Sequence, residues 1–234
     1  MLSFTEENYL KALHNISEAE GVDLVGTNRL AAALQVKPAT ANDMLKKLKE
    51  KSYVAYEKYG KIKLTDAGAQ YAVAIIRKHR LWETFLYQKL EFSWDEVHEV
   101  AEQLEHIQSE KLIDKLDKFL AYPAFDPHGD PIPNQKGAIK VRFKTTLLDV
   151  AAGASCRMVA VKDNSKLFLQ YVANLGLGLN AIIKVVAKQD YDASTQIEVA
   201  GKQTSVSEKF ASNIFVICNT CKVGQPCPGL RCQV

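Results

Sequence analysis

Six side chains in the middle third of this sequence have the types and the spacing of metal ligands. His79 and Glu83 lie four residues apart in Ile75–Leu86 (IIRKHRLWETFL), and His98, Glu102, Glu105 and His106 follow at offsets of four, three and one in Trp94–Leu112. Residues three or four apart share one face of an α-helix, so each group is expected to converge on a small volume. Imidazole nitrogen mixed with carboxylate oxygen suits a first-row divalent ion such as Mn(II), Fe(II), Co(II), Ni(II) or Zn(II). One His–Glu pair at this spacing is ordinarily a solvated helix face, and Glu96, Glu99, Glu102 and Glu105 also read as an acidic surface. Two segments carrying histidine with carboxylate at one-turn spacing favour the metal reading over that alternative.

The elements needed to position these groups can be read on either side. Thr5–Ser17 carries Tyr9, Leu10, Leu13 and Ile16 at helical spacing, with Thr5 as the expected N-cap. Thr27–Leu34 reads as a second short helix, Gln35–Pro38 as a tight break, and about Ala39 to Lys51 as a third helix, which is the helix-turn-helix pattern. Tyr53–Leu64 has two β-prone runs around Tyr59-Gly60-Lys61, a hairpin that completes a winged helix. A long helix capped by Thr65 or Asp66 then runs through His79 and Glu83, and Ser93 is the expected cap of the helix carrying His98 to His106. The apolar faces of these two helices (Leu81, Trp82, Phe85, Leu86; Val97, Val100, Ala101, Leu104, Ile107) serve either a core or a dimer interface. Ala121–Gly137 holds Pro123, Pro127, Pro131 and Pro133 and reads as a linker. Beyond it, Arg157–Val161, Ala181–Val186 and Gln196–Val199 read as short strands of a small β-barrel.

Charge divides along the same lines. Arg29–Lys63 holds nine Lys/Arg against three acidic residues, whereas His79–Leu120 holds five against ten. A basic block beside an acidic one points to an anion-binding surface next to a cation-binding one, with phosphate backbone and a divalent ion as the natural partners. At 234 residues the chain can hold two small domains. No apolar run reaches the roughly 20 residues of a membrane span, and MLSFTEENYLKAL lacks the features of a secretory signal. A cytoplasmic protein with no membrane partner is expected.

These parts, in this order, resemble the iron-dependent repressor family, also called the diphtheria toxin repressor family, which includes the manganese transport regulators. The resemblance covers about residues 4–217 and rests on Thr5-Glu-Glu-Asn-Tyr-Leu10, Val36-Lys-Pro-Ala-Thr40, Leu64-Thr-Asp-Ala-Gly68, Arg77-Lys-His-Arg-Leu81, Glu105-His106 and Pro127-His-Gly-Asp-Pro-Ile-Pro133. Tyr171-Val-Ala-Asn-Leu-Gly-Leu177 is similar to a stretch of the family's SH3-like domain. The resemblance implies a winged helix-turn-helix DNA-binding domain (1–68), a helical metal-binding and dimerisation domain (69–122), a Pro-rich linker (123–144), an SH3-like, FeoA-like β-barrel (145–217) and a Cys-rich tail (218–234). It implies a homodimeric transcription regulator that binds operator DNA when loaded with metal.

Position by position, the resemblance places His79, Glu83 and His98 in one metal site and Glu102, Glu105 and His106 in another, completed by Asn8. Glu7 is next to Asn8 but would point about 100° away around the helix. Asp163, with Asn164 beside it, is the expected ligand from the SH3-like domain, and His128 is expected to serve its own loop. Manganese-type members tend to carry an aspartate at the Asn8 position and a glutamate at the Lys11 position; iron-type members tend to carry methionine and cysteine at the Asn8 and Glu102 positions. The oxygen-rich set without sulfur favours Mn(II), with Fe(II) as the alternative.

On the DNA side, Ala39, Thr40, Asn42 and Asp43 are expected nearest base edges, with Lys37, Lys46 and Lys47 at phosphates and Lys58 and Lys61 on the wing. Asp43 would accept from cytosine or orient Lys47, or else be a favourable charge in the first turn of its helix. In the tail, Cys218, Cys221, Cys227 and Cys232 could hold Zn(II), although free thiols in a reducing compartment account for them equally. Two rival readings remain: a metal-dependent hydrolase using the same His/Glu set, and a DNA-binding protein without metal control, which Asn8 and Lys11 keep open.

Overall fold

The computed structural model describes residues 2–57, 60–139 and 145–218. Helix α1 (Phe4–Glu20) starts earlier than its apolar pattern requires, because Ser3 rather than Thr5 is its N-cap. Ser3 and Glu6 form a reciprocal capping box, and Gly21 closes the helix in the left-handed conformation at φ 63°. After the two-residue strand β1 (Val25–Gly26) come α2 (Thr27–Ala33) and α3 (Pro38–Glu50), whose Pro38 occupies a first-turn position where no amide proton is needed. Strands β2 (Val54–Tyr56) and β3 (Lys61–Leu64) pair antiparallel with Val54 opposite Leu64 and Tyr56 opposite Ile62, and β1 adds to the far edge of β3. Leu10, Leu13, Leu30, Leu45, Leu48, Val54 and Ile62 form the core beneath. The helix-turn-helix and the wing both form as the sequence predicts.

Helix α4 (Asp66–Leu90) is unbroken over 25 residues, with the Thr65 hydroxyl accepting from the Gly68 amide at 3.1 Å as its cap. Next come α5 (Val97–Leu104) and α6 (Glu110–Phe119). Helix α5 departs from expectation at both ends: Ser93 and Glu96 cap a turn before it, and it stops at Leu104, leaving Glu105 and His106 in a turn. Leu81, Trp82, Leu86, Val97 and Ala101 are buried within the chain, so they serve the core. Tyr87, Leu90, Phe119 and Tyr122 are large apolar side chains that remain exposed on this part of the chain.

The stretch expected to be a linker is instead folded between Ala124 and Ile132. The Phe125–Pro131 bridge closes it, and the Asp126 carboxylate accepts from the amides of His128 (2.8 Å) and Asp130 (2.9 Å). An Asx turn of this kind supplies the backbone bonds that a solvated linker would take from water. The His128 carbonyl accepts from the Val161 amide at 3.0 Å, fixing the loop to the C-terminal sheet. That sheet has five antiparallel strands in the order β7-β6-β5-β4-β8: β4 (Ser155–Val161), β5 (Ile182–Lys188), β6 (Thr195–Val199), β7 (Lys202–Val206) and β8 (Ile214–Cys218). Helices α7 (Lys166–Asn174) and α8 (Glu208–Ala211) pack on it around Met158, Leu169, Ile183, Ile197 and Phe210. The expected Zn(II) site in the tail lies outside the described residues.

Contacts gather the chain into two compact units, each built from non-contiguous segments. One holds residues up to His79 with Glu102–Asp114 and Pro133–Ala138; the other holds Arg80–Ala101, Lys115–Ile132 and the chain from Ile139 onward.

Gly129 makes the close approach of the loop to β4 possible. It sits at φ 86°, and a Cβ there would lie 2.1 Å from the Val159 carbonyl oxygen. Gly129→Ala is expected to cost about 3 kcal/mol from left-handed strain and backbone overlap together, read as a lower thermal unfolding midpoint. An unchanged midpoint would contradict the approach.

Candidate metal centre

Glu83 is the hub of the first donor group. It follows His79 by one turn on the same face of α4, and it is 1% exposed. Its Oε1 is 3.0 Å from Nδ1 of His98, on α5, and its Oε2 is 3.6 Å from Nδ1 of His128. Glu83, Asp126 and His128 each offer a ligand atom, all within 4.8 Å of one another, and all three are buried. His128 and Asp126 lie in this donor group, and sequence reasoning leaves them out of it. The Pro-His-Gly string is visible in the sequence, but only the folded loop turns it inward.

The electrostatics of this group are unbalanced. His128 Nε2 is 2.9 Å from the Trp94 carbonyl, which only accepts, so Nε2 carries the proton. In the neutral ring Nδ1 is then a bare lone pair facing carboxylates. His128 Nδ1 and Asp126 Oδ2 are both buried without a hydrogen-bond partner. Burial pushes the Asp126 carboxyl well above its ordinary range, and the charges of Asp130 and Glu83 push it further; the Arg80 guanidinium opposes them without prevailing. Arg80 Nε is 3.7 Å from Asp126 Oδ2, while Nη1 donates to the Pro131 carbonyl at 2.7 Å. Orphaned nitrogen and oxygen donors around a buried carboxylate fit a divalent cation with mixed N/O ligation.

His98 also lines an open cleft of about 360 Å³ with Asp95, Glu99, Asn164, Ser165 and Lys166. Asp163, the expected ligand from the C-terminal domain, accepts from the Ser165 amide at 2.9 Å through Oδ1. Its neighbour Asn164 is the residue that lines the cleft.

The second donor group is differently filled. Glu105 and His106 are buried in the turn after α5, whereas Glu102 is 56% exposed. His79 Nδ1 lies 2.5 Å from Glu105 Oε2, a hydrogen bond that puts the proton on Nδ1 and leaves Nε2 as the lone-pair nitrogen. Lys11 Nζ reaches the same Glu105 oxygen at 2.7 Å. Burial would raise the Glu105 carboxyl, but the hydrogen bond from His79 and the charge of Lys11 outweigh it and hold it below its ordinary range. Asn8 is exposed, and Glu7 faces the site in its place: its Oε2 is 2.6 Å from His106 Nδ1, and its Oε1 accepts from Tyr71 Oη and Gln108 Nε2, both at 2.8 Å. Burial, then the bond to Glu7, raises the Tyr71 phenol. A signal for Glu7 is present in the sequence: Glu7, Lys11 and His14 form a polar stripe at i, i+4 and i+7 beside the apolar face of α1.

Lys37 at the N-cap of α3 and Ala39, Thr40, Asn42, Asp43, Lys46 and Lys47 on the helix are all exposed, as a surface meeting DNA requires. Asp43 pairs with Lys46 at 3.1 Å rather than with Lys47. Lys61 is exposed at the start of β3, Lys49 lies over the Tyr56 ring at 5.3 Å, and Lys58 falls outside the described residues.

The raised Asp126 carboxyl makes a signed pH prediction. Its contribution to stability is complete below the unfolded carboxylate range and is lost as pH rises through the folded value. Metal-free Asp126→Asn, neutral throughout and able to keep the Oδ1 bonds, should therefore gain on the wild type as pH rises from about 4, by up to about 1.4 kcal/mol per pH unit. Thermal melts in chelator across that window test this; a flat or inverted difference would sink it.

Three family models cover most of the chain. The N-terminal DNA binding domain of the iron dependent repressors matches residues 1–62, their metal binding and dimerisation domain matches 65–134, and the FeoA domain matches 145–218. The iron-dependent repressor IdeR of Mycobacterium leprae is 27% identical over 220 residues, covering 91% of this chain and 88% of that one. A manganese-dependent transcriptional repressor solved in complex with manganese superposes with a TM-score of 0.80 at 32% identity, over 91% of this chain and 99% of its own. ScaR with bound Cd2+ superposes with a TM-score of 0.77 at 29% identity, over 91% and 99% of the two chains. Among the described residues no helix is long and apolar enough to cross a membrane. With a winged helix-turn-helix, a helical donor-bearing segment and a FeoA-type sheet in that order, this chain belongs to the iron-dependent repressor family.

Proposed function

We infer that this chain is a metal-dependent transcriptional repressor, not an enzyme, and that it binds operator DNA as a homodimer. The observation that carries the metal reading is the buried group around Glu83, with His128 Nδ1 and Asp126 Oδ2 left without hydrogen-bond partners. Glu83, Asp126 and His128 are the residues we assign to hold the ion, with His98, paired to Glu83, as the further donor. A bound divalent ion would add positive charge beside Asp126 to that of Arg80, which alone does not offset burial and the neighbouring acids. Every donor assigned is nitrogen or oxygen, which favours Mn(II), with Fe(II) as the alternative. The manganese bound in a similar repressor structure supports the same order. Cys156 is no rival ligand, since its sulfur is buried in the C-terminal core near the Ile183 carbonyl at 3.6 Å.

The exposed α3 surface, residues Lys37 to Lys47, is the proposed DNA-reading face, with Lys61 at the wing. Exposed Tyr87, Leu90, Phe119 and Tyr122 support a dimer contact in the helical part. Within this reading residues 1–68 bind DNA, 69–122 bind metal and dimerise, and 145–217 form the accessory domain; a cytoplasmic location follows from the role. A metal-indifferent DNA-binding protein is the second reading, favoured by Lys11 lying among the second set of donors.

Operator binding by chelated protein, titrated separately with Mn(II) and Fe(II) without oxygen at fixed salt, tests the assignment. Mn(II) should tighten binding at the lower concentration, and Glu83→Gln should abolish that response while leaving the metal-free affinity intact. Chelation without effect on affinity would remove the metal switch. Replacing Lys46 or Lys47 by alanine should weaken binding across sequences and lower the slope of log affinity against log salt by about one. An unchanged slope would take that lysine off the phosphate backbone.

A further inference from the structure

The second donor group already contains a cation, and it is covalently part of the chain. Lys11 Nζ lies 2.7 Å from Glu105 Oε2, 3.9 Å from Glu102 Oε1 and 3.3 Å from His79 Nδ1, with its side chain only 13% exposed. Two carboxylates facing one positive charge are what a divalent ion would require of these residues, while the His79 Nδ1 beside them donates to Glu105. The remaining donors are partly engaged within the chain, and His106 keeps only Nε2 as a lone-pair nitrogen. His106 Nδ1 is bonded to Glu7, one face of the His106 ring is stacked on Phe4 at 4.4 Å between centroids, and Glu7 is held by three donors. Asn8, uncharged and exposed, adds no negative charge.

Glu102, Glu105 and His106 therefore do not fit a divalent ion as they stand. An ion at Glu105 would have to drive an ammonium group from a contact that neutralises a 1% exposed carboxylate. It would then bring a double positive charge close to the displaced lysine. Satisfying a buried charge with a tethered partner avoids the loss of translational freedom that a free ion must overcome on every binding event.

We propose that Lys11 is a tethered cation that takes the place of a second metal ion, so that α1 is joined to Glu105, the carboxylate that also holds His79, whether or not metal is present. In this chain, metal is then sensed at the Glu83 group alone; that half of the statement rests on the proposed function, while the Lys11 half stands by itself. The chemistry is charge substitution at an acidic site, and the two imidazoles around it act as hydrogen-bond partners of carboxylates.

The experiment counts Mn(II) ions per full-length chain by equilibrium dialysis with metal analysis, using Mn(II) alone. Wild type, Lys11→Gln, Lys11→Arg, Glu105→Gln and Glu83→Gln are compared, with melting curves for each. Lys11→Gln should bind one more ion per chain than wild type, and the double variant Lys11→Gln/Glu105→Gln should lose it again. Lys11→Arg, which keeps the charge, should match wild type. Glu105→Gln in the wild-type background should leave the number of ions unchanged, a result that holds even if Lys11→Gln proves too unstable to study. The proposal is overturned if folded Lys11→Gln binds no more Mn(II) than wild type, or if Glu105→Gln removes an ion that wild type holds. Glu83→Gln separates the two halves: a count unchanged by it removes the Glu83 group as the sensor, while the Lys11 and Glu105 variants alone decide whether the lysine is the tethered cation.

Discussion

Burying the Glu83 carboxylate is the constraint on which the metal-binding part of this chain depends. A carboxylate at 1% exposure is costly without compensating partners. Around it the chain gathers His98 from the next helix and Asp126 and His128 from the folded loop. None of these relieves the imbalance fully, because a second acid is among them and the inward nitrogen of His128, 3.6 Å from Glu83, makes no hydrogen bond. Four features of the scaffold hold this unfavourable arrangement in place: the Asx turn at Asp126, the bond from His128 to the Trp94 carbonyl, the Gly129 approach to β4 and the Arg80 anchor on Pro131. An arrangement of this kind favours a cation in one conformation over another, and differential affinity is the quantity that lets a ligand shift a conformational population.

Much of this is legible in the sequence where periodicity decides structure. The helix-turn-helix, the wing, the long α4 with His79 and Glu83, and the strands at 155–161, 182–188 and 195–199 follow from apolar spacing and turn residues. What spacing cannot decide is where a face ends or what it meets. The run from His98 to His106 keeps helical spacing, yet α5 stops at Leu104 and turns Glu105 and His106 inward while Glu102 faces solvent. Four prolines between Pro123 and Pro133 read as a solvated linker, because composition does not reveal that one aspartate can satisfy two loop amides and so allow the loop to be buried.

Helix α1 shows the same limit from the other side. Helical geometry separates Asn8 and Glu7 by about 100°, but which of the two meets His106 depends on how the helix is rolled. The roll is set by Tyr9, Leu10, Leu13 and Ile16 seeking the core, and it carries Glu7 inward with them. Expectation transferred by resemblance turns Asn8 toward His106, whereas Glu7 is the residue that meets it, and the polar stripe of Glu7, Lys11 and His14 carries that indication.

The two donor groups then differ in how their buried acids are neutralised. Glu105 receives a proton donor from His79 and an ammonium from Lys11, and its carboxyl is held down; Glu7 receives His106, Tyr71 and Gln108. Asp126 receives two amides on one oxygen and nothing hydrogen-bonded on the other, and its carboxyl is pushed up. A group whose charge is already matched within the chain gains little from an added ion and so cannot report its presence. A group left short of positive charge gains much. The capacity to sense belongs where internal compensation is incomplete, and this is the physical ground for the proposed role of the donors around Glu83.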